Sequence, residues 1–357
     1  MEEDSTSQSA GSASGIQRPL VSVLLPVFNA EKFLAAALDS ILRQTFRDLE
    51  LIVIDDGSVD GSPGVISACN DPRLVAIRNE TNLGVVASLN KGLSLARGDL
   101  VARMDADDVA DPRRLEKQVE FCLRNPNVVA LGTAITYIDD AGQVTGLPGR
   151  LALGPAVMRW RLLRGTCLFH PTLMLNRARA GEDARYSAEF AHAEDYELML
   201  RLSRRHDLDN LPERLLGQRL HVGAVSVRFR DLQRESAARA LVIHARERFG
   251  LDIARGRAMS LLDPRHFFDP SSSDDDSPVG LVLQLERTFL SSEPGLTQAD
   301  ARSVRRDAAF FLWKLAAIAA SEWGNGAFAL RRLRTLASCA AALAVRPRAA
   351  LAALAWR

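Results

Sequence analysis

The chain of 357 residues is short of cysteine, has no long apolar run and carries almost no net charge. Each absence excludes something. The four cysteines (Cys69, Cys122, Cys167, Cys339) lie far apart and make no CxxC pair. That argues against a zinc site or a disulfide framework and fits a reducing compartment. No stretch of about 18 uncharged apolar residues occurs, so no membrane-spanning helix is expected. Residues 1–18 are mostly Ser, Gly, Ala and acid, without the basic start and apolar centre of a signal peptide. They read as a disordered tail, and the cytoplasm is the expected location. A net charge of +1 makes no case for nucleic acid as a partner. No internal repeat is evident.

What is there reads as a soluble globular protein, 47% hydrophobic and 25% charged, and longer than one ordinary domain needs. "VSVLLPVFN" (21–29) is a continuous apolar run, as expected of a buried parallel strand. A helix follows over 30–44, with Phe33, Leu34, Leu38, Ile41 and Leu42 at helical spacing. A second strand (49–58), a short helix near Val65, a third strand (74–79), a helix (84–96) and a fourth strand in "DLVARMDADD" complete an alternating series. This pattern predicts a mostly parallel sheet wrapped by helices. Beyond Pro112 the spacing predicts a helix to about Arg124, a β-branched strand over 127–139 and a turn at "DDAGQ". A helix near 155–164, a strand in "HPTLMLN", a helix in "EDYELMLRLSRR" and strands to about Phe229 follow.

The chain then divides by composition. Residues 231–268 read as a helical extension, and 269–278 ("DPSSSDDDSP") as a flexible linker. Residues 279–357 form a separate helical part rich in Ala, Leu and Arg. From Ala301 to Arg357 ten basic residues face two acids, a surplus of eight positive charges. That surplus fits either a solvated bundle or a peripheral contact with anionic membrane at the inner face.

In open parallel sheets, ligands bind at the carboxyl ends of strands. Three such ends are polar here: Pro26-Val27-Phe28-Asn29, Asp55-Asp56-Gly57-Ser58 and Asp105-Ala106-Asp107-Asp108. A dinucleotide fold needs a glycine-rich turn after its first strand, and "PVFNAEKF" has no glycine. Asp55 and Asp56 could still hydrogen-bond a ribose or base, with the phosphates held in another way. "ARMDADDVADP" (102–112) gathers four carboxylates in seven positions. Unpaired, such a cluster is costly to bury. It fits a solvated loop, or a hard divalent cation bridging acids to phosphates. Asp108 and Asp111 can instead cap the helix begun at Pro112.

These segments, in this order and spacing, resemble family 2 glycosyltransferases of the GT-A fold over roughly residues 19–230. The resemblance implies an α/β architecture: a Rossmann-like, mixed and mainly parallel sheet flanked by helices, with the helical C-terminal region added. It implies an inverting enzyme that takes one sugar from a nucleotide-diphosphate sugar, by base rate a UDP-sugar, to a glycan or lipid-linked acceptor. By the resemblance, Pro26 and Phe28 line the nucleotide pocket, Asp56 reads base or ribose beside Asp55, and Asp105 lies near the ribose and metal-bound waters. Asp107 then binds Mn²⁺ or Mg²⁺. Glu194-Asp195 matches the family's acidic pair, whose Asp resembles the general base; acids at a helix N-terminus also occur for dipole reasons alone. "QRLHVGAVS" partly matches a family segment in which His221 reaches the metal or diphosphate. "FHPTLMLNR" resembles the acceptor-side segment, where His170 reads as structural. No QxxRW motif follows Asp195, which points to single addition rather than processive synthesis.

Two rivals stand beside this reading. "DADDV" fits the D-x-D-x-[TV] pattern of haloacid-dehalogenase-like phosphatases, though that family places it on the first strand and here it ends the fourth. A nucleotide-sugar-binding protein without catalysis is the other, against which the joint presence of Asp56, Asp105, Asp107 and Asp195 argues.

Overall fold

A computed structural model of the chain describes residues 18–149, 151–220, 229–268, 278–321, 329–345 and 349. The expected tail, apart from Arg18, and the expected linker, apart from Pro278, lie outside the described residues.

The apolar runs form the first strands: β1 (Val21–Val27), β2 (Leu49–Asp55), β3 (Leu74–Arg78) and β4 (Leu100–Arg103). β1 pairs in parallel with β2 and β4, and β2 with β3. The connections carry α1 (Glu31–Leu42), α2 (Ser62–Ser67) and α3 (Val85–Leu95). β1 and β2 are covered on both faces. Val23, Leu25 and Val53 join one core with α1, while Leu24, Ile52 and Ile54 join the other with α3. That double burial is why both strands are continuously apolar rather than alternating. α1 presents Leu34, Ala37, Leu38 and Ile41 to the sheet, the i, i+3, i+4, i+7 stripe of an amphipathic helix.

After β4 the pattern changes. The elements are β5 (Val109–Ala110), α4 (Arg114–Arg124), β6 (Val128–Ile138), β7 (Val144–Gly146), α5 (Pro155–Leu162), β8 (Met174–Asn176), α6 (Arg177–Ala180), α7 (Glu194–Leu202) and β9 (Asp207–Arg219). The nine described strands make one mixed sheet in the order β3-β2-β1-β4-β8-β6-β9-β5, with β7 on β6. β8 runs antiparallel between β4 and β6, and β6 pairs in parallel with β9. Two-residue β5 is clipped antiparallel to the end of β9. The clip turns residues 104–108 back across the strand ends.

Among the described residues five α-helices follow: α8 (Arg230–Phe249), α9 (Arg255–Leu262), α10 (Pro278–Ser292), α11 (Gln298–Ser321) and α12 (Ala329–Ala344). The helices beyond 278, which composition set apart, share a core with the sheet. Phe289, Val304, Ala308 and Leu312 lie in the same cluster as Leu24, Ile54 and Trp160. A buried acid fastens them. Asp307 of α11 accepts from Trp160 Nε1 and Arg161 Nε, both at 2.9 Å, and pairs with Arg164. Arg164 also lies against the Phe311 ring at 4.6 Å, and Trp160 packs edge-on to Phe289. No described helix is long and apolar enough to cross a membrane.

Candidate active site

The loops after β1 and β2 are stitched together by short polar side chains. Ser58 Oγ accepts from Asn29 N at 3.0 Å, Asn29 Oδ1 accepts from Val59 N at 2.9 Å, and Ser62 Oγ accepts from Ala30 N at 2.9 Å. Gly57 has a φ of +75°, and a Cβ there would lie 2.7 Å from the Thr81 carbonyl carbon. Only glycine fits so close an approach. Asp55 accepts from Ser58 N at 2.9 Å and faces Arg78 at 3.4 Å, so it closes this turn. Asp56 accepts from Asn79 Nδ2 (2.7 Å) and Leu83 N (3.0 Å) on one oxygen and Gly84 N (2.8 Å) on the other. It fixes the turn that enters α3. Pro26 is partly buried, and Phe28 is exposed above these turns.

β4 ends in Arg103, which is buried. Its two Nη atoms donate to both oxygens of Asp105, at 2.8 and 2.5 Å. This is the fork geometry of a strong charge-assisted pair. Asp105, Asp107 and Asp108 each place a carboxylate oxygen within 4.8 Å of the others. Asp108 does not cap a helix, contrary to the sequence reading. α4 starts at Arg114 without a side-chain cap. Asp108 is buried, accepts from Arg219 N at 2.9 Å, and keeps Oδ2 buried without a hydrogen-bond partner. Asp111 does serve the turn before α4, accepting from Arg113 N at 2.9 Å. Arg219, at the end of β9, donates from Nε to the Asp107 carbonyl at 2.8 Å and packs over the Phe33 ring at 4.4 Å. Burial pushes the Asp108 carboxyl well up, with the Asp105 and Asp107 charges adding to the rise. Asp105 rises for the same first reason, against the pull of Arg103.

The acids of α7 face the same region. The Arg103 charge acts on Glu194 and Asp195, and also on His170 and Tyr186. His170 Nε2 and the Tyr186 hydroxyl are 2.8 Å apart. Burial, then Arg103, hold the His170 imidazole well below its ordinary range, so it is neutral. Tyr186 is fixed by Asn90 of α3, which donates to its carbonyl at 2.9 Å and accepts from its N–H at 3.0 Å. Asp195 Oδ1 accepts from Tyr196 N at 2.7 Å, and burial raises its pKa. His221 lies outside the described residues.

Burial, and then the neighbouring Asp195, push Glu194 up to about 7 from an ordinary 4.5. Its Oε2 is buried without a hydrogen-bond partner. The folded state therefore holds this proton more tightly than the unfolded chain does. Stability is lost as pH rises from 4.5 through about 7. Thermal melts at about pH 5 and about pH 8 check this. Glu194→Gln, which cannot ionise, is expected to shrink the fall in Tm between them; an unchanged fall would refute the assignment.

Sequence reasoning missed Arg103, Tyr186, Asn90 and Arg219. Arg103 closes the otherwise apolar "LVAR" strand, a place where an arginine reads as a solvated end. A cavity of about 800 Å³ lies away from the acids. It lies between residues 148–169 and α11, lined by Arg164, Phe169, Phe310 and Trp313 among others.

The sequence profile of glycosyl transferase family 2 matches residues 22–178. An uncharacterized glycosyltransferase of Haemophilus influenzae is 33% identical over 263 residues, covering 70% of this chain and 81% of the relative. The chain belongs to glycosyl transferase family 2. It is a glycosyltransferase, and the dehalogenase-like reading falls with that membership. The fold agrees. S. aureus TarS residues 1–349 in complex with UDP-GlcNAc superpose with a TM-score of 0.55 at 17% identity, covering 92% of this transferase and 91% of that 1–349 chain. The mannosyltransferase PcManGT from Pyrobaculum calidifontis, in complex with GDP-Man and Mn²⁺, gives 0.50 at 19% identity, covering 91% and 87%. The transferase thus has the GT-A fold, with its helical C-terminal region packed beside it.

Proposed function

We propose that this transferase moves one sugar, with inversion, from a nucleotide-diphosphate sugar to a hydroxyl of a glycan or lipid-linked acceptor. Asp195 accepts the proton of that hydroxyl. The freed oxygen bonds to the anomeric carbon from the face opposite the diphosphate, whose bond to that carbon breaks. The leaving diphosphate takes the electron pair. The observation that carries this reading is the meeting of two acid groups around Arg103, Asp105 from the strand end and Asp195 from α7.

The residues fit a divalent cation. Three carboxylates converge within 4.8 Å, and a buried Asp108 oxygen has no hydrogen-bond partner. Asp107, with Asp108 beside it, would hold Mn²⁺ or Mg²⁺, which prefer such oxygens. When bound, the metal supplies charge stabilisation to the leaving diphosphate. Asp105, both of whose oxygens are held by Arg103, would lie near the ribose. Pro26 and Phe28 then flank the base, with Asp56 shaping the pocket through the turn into α3. The two structural neighbours hold UDP-GlcNAc, and GDP-Man with Mn²⁺, which supports a nucleotide-sugar donor.

A panel of nucleotide-sugars, incubated with the metal-stripped enzyme and with Mn²⁺ restored, tests the proposal. One donor is expected to release nucleoside diphosphate in the presence of Mn²⁺ and to fall to background without it. Donor binding with no turnover under any metal would favour the non-catalytic reading.

A further inference from the structure

We propose that Arg103 is the resident counter-cation of the acid cluster, and that it makes divalent-cation binding wait on the nucleotide. The inference rests on the metal-dependent reading above and adds an order of events to it. Arg103 is not a mobile surface arginine. Its backbone N donates to the Leu173 carbonyl at 2.9 Å, and its own carbonyl accepts from Arg114 Nη2 at 2.7 Å. The strand therefore delivers the guanidinium to a fixed place, where its side chain is 7% exposed.

That place is beside the candidate metal ligands. The fork engages both oxygens of Asp105. The fork offsets the Asp105 charge, which leaves Asp107 and Asp108 to attract a metal. The neighbouring arginines engage the cluster differently: Arg219 donates to the Asp107 carbonyl and to Asp108 from its backbone N, and Arg114 donates to Gln118 Oε1 and the Arg103 carbonyl while its charge acts on Asp108. A bare dication entering here meets a buried positive charge at short range. A nucleoside diphosphate brings negative charge that offsets both cations. Metal and nucleotide then favour one another's binding, and by linkage the coupling is reciprocal. Arg103 acts through Asp105 and is a positioning residue. It keeps the cluster electrically tolerable between turnovers, when product diphosphate leaves with the metal.

Calorimetric titration of the full chain tests this, with MnCl₂ alone and with MnCl₂ in the presence of UDP or GDP. In the native protein, Mn²⁺ is expected to bind on the order of 10-fold more tightly when the preferred nucleotide is present. In Arg103→Gln, Mn²⁺ alone is expected to bind on the order of 10-fold more tightly than in the native protein, with the nucleotide effect reduced. A role confined to folding would lower Tm and leave this affinity unmoved. Should the glutamine variant not fold, Arg103→Lys keeps the charge and loses the fork. It is expected to bind Mn²⁺ alone a few-fold more tightly. Equal Mn²⁺ affinities in native and variant proteins would overturn the inference alone. Mn²⁺ binding to neither, with or without nucleotide, would overturn the metal reading and the inference together.

Discussion

Asp195→Asn is expected to lower kcat for sugar transfer by about 10²–10⁴-fold, the usual worth of a positioned carboxylate base. The substitution is nearly isosteric. Its amide oxygen can still accept the 2.7 Å bond from Tyr196 N, so α7 should keep its start. What goes is the capacity to take a proton. Donor affinity should change little, because the proposed donor site lies at the strand ends of β1, β2 and β4 and not on α7. The informative measurement is kcat and donor KM side by side, with a melting curve to confirm folding. A kcat within a few-fold of native would move the base elsewhere, and Glu194 would be the first residue to examine.

The largest expected loss of stability comes from Asp307→Ala, on the order of 3–5 kcal/mol. Three donors on one short stretch, Trp160, Arg161 and Arg164, converge on this carboxylate. The carboxyl is itself buried, and Arg164 and Arg161 hold its pKa down despite that burial. Alanine would leave the buried Arg164 charge without its partner, which costs more than the pair contributes. Urea unfolding of the two proteins measures the difference. A loss below about 1 kcal/mol would mean that water reaches the pair and screens it. A folded sheet with early release of α10 and α11 would give two transitions in place of one.

The parts of this molecule legible in the sequence are those governed by local pattern. Strands β1 and β2 stand out because burial on both faces demands an unbroken apolar run. α1 and α7 stand out by their helical spacing. The strand-end acids were legible too, since each follows an apolar run directly. Arg103 was not, because its partner Asp105 is two residues away and an arginine ending a strand looks like a solvated edge. Nothing local tells Asp108 from a cap: the group it meets, the Arg219 amide, is 111 residues distant. The docking of the C-terminal helices was hidden for the same reason. Asp307 sits in a basic, alanine-rich helix, and its donors lie 143 to 147 residues earlier. Composition marked a boundary there, but composition does not record which faces meet.

The Asn90–Tyr186 contact has a consequence for substitution. A carboxamide that gives and receives one hydrogen bond with the same residue imitates a peptide group, so this helix position does the work of a strand edge. Aspartate would receive but not give. Glutamine has both groups but reaches one methylene too far, and would set the Tyr186 segment off by that length. Leucine matches the shape and offers neither bond. In a site assembled from segments 96 residues apart, this position has no conservative replacement.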